Sequence, residues 1–126
     1  YMSKVFFKNV SKLQNAQRSR HPEVFLKHSK ISLESIKILR SEGFIRGFSL
    51  ESGGILVFLK YLNNKPLFKN ITLISTSTRK AYYSYSDLLK TSSKAGFFIL
   101  TTSFGVVSSN KALKERLGGE VLMHVK

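Results

Sequence analysis

The chain has 126 residues, 42% of them hydrophobic and 12% aromatic, and its 21 lysines and arginines against 7 acids give a formal charge of +14. That apolar content excludes global disorder and supports one compact unit or two small lobes. The charge repels itself unless a polyanion lies alongside, so nucleic acid is the first partner to consider and an anionic membrane surface the second. No stretch nears ~18 uninterrupted apolar residues, and the basic residues are scattered rather than gathered on one helix, which argues against the membrane. The lack of cysteine excludes disulfides and thiolate metal sites. His21, His28 and His124 lie far apart without metal-ligand spacing, so no metal or other cofactor is expected. Residues 1–20 lack a signal-peptide plan, because Lys4, Lys8 and Lys12 interrupt the apolar positions.

In chain order, Phe6, Val10 and Leu13 recur at helical spacing with Lys4, Lys8 and Lys12 on another face, which predicts an amphipathic helix over 3–16. Arg18-Ser19-Arg20-His21-Pro22 ends it. Ser29 or Ser32 can cap a second helix whose Leu33, Ile36 and Leu39 face inward and whose Gly43 suits the C′ position. Phe44–Leu50 is strand-like, Ser52-Gly53-Gly54 is a turn, and Ile55–Leu62 is a buried strand. Asn63-Asn64-Lys65-Pro66 turns the chain, and Ile71–Ser75 is expected to complete a three-stranded sheet. These elements close a first lobe, 1–73, in which the six apolar helix residues pack on a sheet containing Val57 and Leu59.

The second lobe, 74–126, is smaller and rich in β structure. Thr76-Ser77-Thr78-Arg79-Lys80 reads as a polar, basic loop, Ala81–Ser84 as a short strand, and Ser86 as the cap of a short helix to Lys94. Phe97–Thr102 is an apolar strand that runs into Ser103-Phe104-Gly105. Ser109 is placed to cap a helix over Lys111–Leu117, stopped by Gly118-Gly119, and Glu120–Val125 is the last strand. The expected class is therefore α+β, with two helices on a three-stranded sheet and a small, mainly β C-terminal lobe.

The chemistry points to binding rather than catalysis. Glu23, Glu34, Glu42, Glu51, Asp87, Glu115 and Glu120 form no close pair in sequence, and neither a phosphate-cradling glycine loop nor a nucleophile elbow is present. No small-molecule substrate is implied. Thr101, Thr102 and Ser103 put small donors and acceptors at a strand end, which suits contact with sugar, phosphate or base edges. An ordinary hydroxyl-rich turn would look the same. Arg79 and Lys80 stand beside Tyr82, Tyr83 and Tyr85, a pairing of phosphate contacts with rings that stack on bases. Alternatively, Tyr83 and Tyr85 line one face of a strand and Tyr82 faces the core.

With those residues in view, the chain resembles the bacterial-type small-subunit ribosomal protein eight family, primary binders of small-subunit ribosomal RNA. The family's S-T-S-K-G-V-M-T, followed after a short helix by G-G-E-I/V-L, is matched by Thr101–Ser108 and by Gly118-Gly119-Glu120-Val121-Leu122, with the interval kept. Ser41-Glu42-Gly43-Phe44-Ile45 is similar to the E-E-G-F-I that ends its second helix, Ser29-Lys30 to the S-K that opens it, and Val10–Gln17 to its L-T-R-I-R-N-G-Q. The likeness runs in order along nearly the whole chain. Some positions depart: the lysine after the triplet is Phe104, the first triplet residue is Thr101 rather than serine, and a Pro-Gly turn is missing from Ser75–Tyr82. This drift, with heavy use of Phe, Ile, Lys and Ser, resembles an organelle-encoded copy, mitochondrial ahead of plastid or bacterial.

The resemblance implies a structural constituent of the small ribosomal subunit that supports its assembly and translation, bound to ribosomal RNA and neighbouring ribosomal proteins. It implies that Thr101, Thr102, Ser103, Phe104 and Gly105 meet an irregular RNA helix, with Gly118 and Gly119 beside them and Glu120 orienting the triplet loop. Arg79, Lys80 and Tyr82 would approach from the neighbouring strand. Lys4, Lys8, Lys12, Ser29 and Lys30 would reach a second RNA segment. The alternative is a free-standing basic RNA-binding or scaffold protein, for which an exposed apolar patch is the expected mark.

Overall fold

Apolar residues three and four apart draw the first helix, α1 (Lys4–Arg18), which buries Phe6, Val10, Leu13 and Ala16. The computed structural model describes residues 4–63, 65–66, 70–75, 79–91 and 95–126. Phe6, Val10 and Leu13 each contribute roughly 1.5–3 kcal/mol when fully buried. The helix ends with Arg20 at φ 57°, its N–H on the Gln17 carbonyl and the His21 N–H on that of Ala16. This is the two-bond left-handed C-cap, made here by an arginine where glycine would cost less. Strand β1 (Glu23–Lys27) follows and leads to helix α2 (Lys30–Ser41). Ser29 Oγ accepts the Ser32 N–H at 3.1 Å as N-cap. Gly43, at φ 83°, closes the other end while the Phe44 N–H reaches the Leu39 carbonyl.

Strands β2 (Ile45–Glu51) and β3 (Gly54–Leu59) form a hairpin across Ser52-Gly53. The sheet order is β1-β3-β2, antiparallel throughout. α1 packs on β1 and α2 on β2. Ile36, Leu39, Val57 and Leu59 are buried as expected, whereas Leu33 is half-buried. The third strand of this sheet is β1, not the expected Ile71–Ser75. Its five residues Glu-Val-Phe-Leu-Lys are short, and only Leu26 is buried, so the sequence carries no clear alternation there. The expected strand over Ile55–Leu62 stops at Leu59, and Tyr61–Leu62 (β4) pairs with Lys65–Pro66 (β5) instead.

Asn9 ties the three layers of this unit together. Its Nδ2 donates to the Lys27 carbonyl and to Ser32 Oγ, each at 2.8 Å, and its Oδ1 accepts the Lys27 N–H at 3.2 Å. α1, β1 and α2 thus meet at one buried amide, which satisfies backbone groups on an edge strand.

The second unit spans 70–126, against 1–69 for the first. Ile71–Leu73 (β6) belongs to it, because it pairs with the last strand, β10 (Gly119–Val125). β10 also pairs with Tyr82–Tyr83 (β7) and with Phe97–Thr102 (β8), which continues to Gly105–Ser108 (β9). Helices α3 (Tyr85–Thr91) and α4 (Ser109–Lys114) supply Leu88 and Ala112 to a core with Phe98, Leu100, Val107 and Val121. The caps fall one or two residues before the expected ones. Ser84 caps α3, exchanging bonds with Asp87 at 2.9 and 3.2 Å, and Ser108 caps α4. Ser109 Oγ instead accepts the Phe98 N–H within the core. The expected loop Thr76-Ser77-Thr78, Asn64 of the expected turn, residue 3 of the first helix and residues 92–94 of the helix to Lys94 lie outside the described residues. Among those described, no helix is long and apolar enough to cross a membrane.

Replacing Asn9 by alanine should destabilise the protein by about 2–4 kcal/mol, since several partly buried groups lose their partner at once. Urea unfolding checks this. A loss below about 0.5 kcal/mol would mean that water takes over all three bonds.

Candidate nucleic-acid interface

Three residues far apart in sequence stand side by side on β7, β10 and β8. Glu120 is in register with Tyr82 on one side and Thr101 on the other, and Thr101 is in turn opposite Val106. Facing residues of adjacent strands point the same way, at a strand spacing of about 4.8 Å. Tyr82 is 68% exposed at one end of this row. Tyr83 points to the other face, edge-on to Phe98 with ring centroids 5.8 Å apart. Of the two readings the sequence left open for the tyrosines, Tyr82 facing the core is not the one adopted: the pairing of β7 with Gly119 and Glu120 fixes its phase outward.

At the other end, β8 and β9 are joined by Ser103 and Phe104. Neither has positive φ; Gly105 does, at 107°. The reversal is thus taken up by the glycine, where a side chain would be strained. Thr102 Oγ1 accepts the Phe104 N–H at 3.1 Å and donates to the Gly105 carbonyl at 3.0 Å. Its hydroxyl proton is committed to holding the turn. Ser103 and Phe104 are exposed, Phe104 by 77%, and Thr101 is half-buried. The triplet therefore divides into one structural hydroxyl and two that face outward or along the row.

Gly118 and Gly119 have a physical reason of their own. A Cβ on Gly119 would collide with the Thr101 carbonyl, and one on Gly118 would lie 2.7 Å from the Tyr83 carbonyl. These glycines let β10 enter between β7 and β8. Glu120 is only 3% exposed, and its Oε2 has no hydrogen-bond partner. Burial pushes its carboxyl above the ordinary glutamate range. The expected tie from Glu120 to the triplet loop is not made by this oxygen.

The basic loop is anchored by Ser75, which is fully buried. Its Oγ donates to the Val121 carbonyl at 2.5 Å and accepts the Ala81 N–H at 2.9 Å. The Val121 N–H returns to the Ala81 carbonyl at 2.8 Å. Both ends of the loop are so pinned to β10, which leaves Arg79 and Lys80 exposed beside Tyr82. In the first unit Lys4, Lys8 and Lys12 are all exposed along one face of α1, four residues apart. Lys30 is exposed at the start of α2. Ser29 is different: its hydroxyl bonds Ser32 as a helix cap.

One group of residues escaped the sequence reading. Lys111, Glu115 and Leu117 line a shallow groove with Phe104. Lys111 lies on α4 and Glu115 is its C-cap residue, but only the hairpin brings Phe104 to them.

Comparison with known proteins places the chain among ribosomal proteins of one family. The profile of the ribosomal protein S8 family matches residues 7–125. A small ribosomal subunit protein uS8 of Treponema pallidum is 39% identical over 121 residues, 92% of each chain. One from Lawsonia intracellularis is 35% identical over 116 residues, again 92% of each. The uS8m protein of Acanthamoeba castellanii is 34% identical over 119 residues, 92% of this chain and 94% of its own.

The raised carboxyl of Glu120 makes a pH signature. The fold holds its proton more tightly than the unfolded chain does, so the stability it contributes is whole below about pH 4.3 and is lost as pH rises through the raised value. Glu120→Gln should then melt at or above the wild type near pH 7, with the margin closing as pH falls toward 4. Thermal melts across that range are the check, and a margin independent of pH would refute desolvation as the cause.

Proposed function

The chain belongs to the ribosomal protein S8 family, and from that membership we propose how it meets its RNA. It is a structural, non-enzymatic constituent of the small ribosomal subunit and binds ribosomal RNA. We assign recognition to the second unit and general attraction to both. The row Tyr82–Glu120–Thr101, ending in the exposed Ser103 of the hairpin tip, carries this reading. Small outward hydroxyls let an RNA minor groove approach and offer donors and acceptors to 2′-hydroxyls and base edges. Tyr82 supplies a ring for stacking or a phenol for a ribose bond. Arg79 and Lys80 neutralise phosphates nearby.

Gly105 adds no side chain next to Ser103 and Phe104, with open space where a Cβ would stand. Gly118 and Gly119 let β10 close up beside Tyr83 and Thr101, and Glu120 stands in the middle of the row. Lys4, Lys8, Lys12 and Lys30 bind a second RNA segment through phosphate, with Ser29 holding the start of α2. In this role the protein is a primary RNA binder that supports assembly of the subunit and so translation, among neighbouring ribosomal proteins.

Its compartment is a proposal too. The drift of the triplet motif and the likeness to the Acanthamoeba mitochondrial protein favour a mitochondrial ribosome over a plastid or bacterial one. Fractionation tests both statements, because a ribosomal constituent co-sediments with small subunits of one compartment. Recovery only in subunit-free fractions would return the scaffold reading.

If about five to eight cations contact phosphate, log K should fall against log salt with a slope of roughly −3 to −7. Titration of the ribosomal RNA helix at several salt concentrations measures it, and a flat response would exclude phosphate contact on that scale. Ser103→Leu should fold normally, because the residue is exposed on the hairpin tip. It should lose about 1–3 kcal/mol with cognate RNA, whose hydroxyls or base edges would be left without partners, and little with unrelated RNA. A Lys8→Ala variant should weaken both RNAs about equally. Ser103→Leu that discriminates like wild type would remove the tip from the recognition surface.

A further inference from the structure

Phe104 is the most exposed large apolar side chain among the described residues, at 77%. Its backbone is held in place: the N–H is bonded to Thr102 Oγ1, whose own proton goes to the Gly105 carbonyl. An aromatic ring on a pinned turn loses little freedom on binding, which favours an anchoring role. The ring forms one wall of the groove completed by Lys111, Glu115 and Leu117. Leu117 adds a second apolar surface.

The charges of this groove select its occupant. Lys111 attracts an anion, but Glu115 stands on the same groove and repels one. A phosphate gains little there. A neutral planar group with both donor and acceptor edges gains more, since an ammonium can donate to a ring carbonyl and a carboxylate can accept from an exocyclic amine. Phe104 directly follows Ser103 of the proposed recognition tip, and the chain carries a formal charge of +14.

From these observations we infer that Phe104 stacks on an unpaired nucleobase of the bound RNA, with the base seated in the groove between the hairpin tip and α4. The inference rests on the RNA-binding reading above and deepens it. It makes the tip a two-part device in which Ser103 meets the groove of a helix and Phe104 holds a base turned out of it. A ring stack replaces what a cation at this place would do through phosphate, so this contact is insensitive to salt.

The test uses the full chain and the ribosomal RNA helix that the wild type prefers. Phe104→Ala should weaken binding by roughly 5- to 100-fold, with the slope of log K against log salt unchanged. Phe104→Leu, which keeps apolar bulk without a ring, should lose nearly as much. The chain contains no tryptophan, so Phe104→Trp introduces a single indole. That variant should bind like wild type, and its fluorescence should be quenched on adding the RNA and shielded from a soluble quencher.

Melting curves should match for all three variants, because the side chain is exposed. Wild-type affinity in Phe104→Ala or in Phe104→Leu would overturn the inference and leave the RNA-binding reading standing. So would an unquenched indole in the complex. Unchanged RNA affinity with reduced incorporation into small subunits would assign the ring to a protein neighbour and also overturn it. A wild-type chain with no preference for ribosomal RNA would instead overturn both readings.

Discussion

The second unit depends on the entry of one strand, Gly119–Val125, between two others. β10 takes β7 and β6 along one edge and β8 along the other. At the point of entry the Thr101 carbonyl on one side and the Tyr83 carbonyl on the other leave no room for a Cβ. Glycine is the residue that fits at both positions, Gly118 just before the strand and Gly119 at its start, because each meets a different neighbouring carbonyl. Once β10 is seated, Glu120 has to lie between Tyr82 and Thr101, and Val121 has to face the core with Leu100. The tip, the tyrosine and the basic loop all take their places from that pairing.

The same constraint accounts for the division of hydroxyls. Ser75 and Ser109 are buried and hold backbone groups of β10, the basic loop and β8. Ser84 and Ser108 cap helices, and Thr102 closes the hairpin. Each satisfies a backbone group that burial or a helix end would otherwise leave unpaired. Ser103 is exposed on the hairpin tip and Thr101 is half-buried in the row beside it.

Charge and shape act at different ranges here. The lysines of α1 and the exposed Arg79 and Lys80 attract any polyanion, through interactions that salt screens within about 8 Å at physiological ionic strength. In the proposed interface their part is to draw RNA in without choosing among RNAs. Choice has to come from contacts made at van der Waals distance, where one misplaced methyl group or one unpaired donor is felt. Both units also bury polar groups to fix their geometry. Asn9 in the first and Ser75 in the second act as brackets between elements, which trades side-chain freedom for a defined surface.

Much of this protein was written in local sequence. The helices α1 and α2 follow from apolar spacing, and the ends of α2 from Gly43 and from a serine, Ser29 or Ser32, of which the structure uses Ser29. Phe97–Thr102 and the final strand follow from continuous apolar runs, and the basic character from composition alone. The motifs around Thr101 and Gly118 were sufficient to identify the family. Tertiary structure alone decided the rest. β1 is an edge strand with a single buried residue, so its sequence has no periodicity to read. Ile71–Leu73 has the same apolar pattern whichever sheet it joins, and only pairing with β10 assigns it. The outward direction of Tyr82, the burial of Glu120 and the meeting of Phe104 with Lys111 and Glu115 are products of strand register and of a hairpin folding onto a helix. No local pattern encodes such contacts, because they join residues whose separation along the chain says nothing about their separation in space.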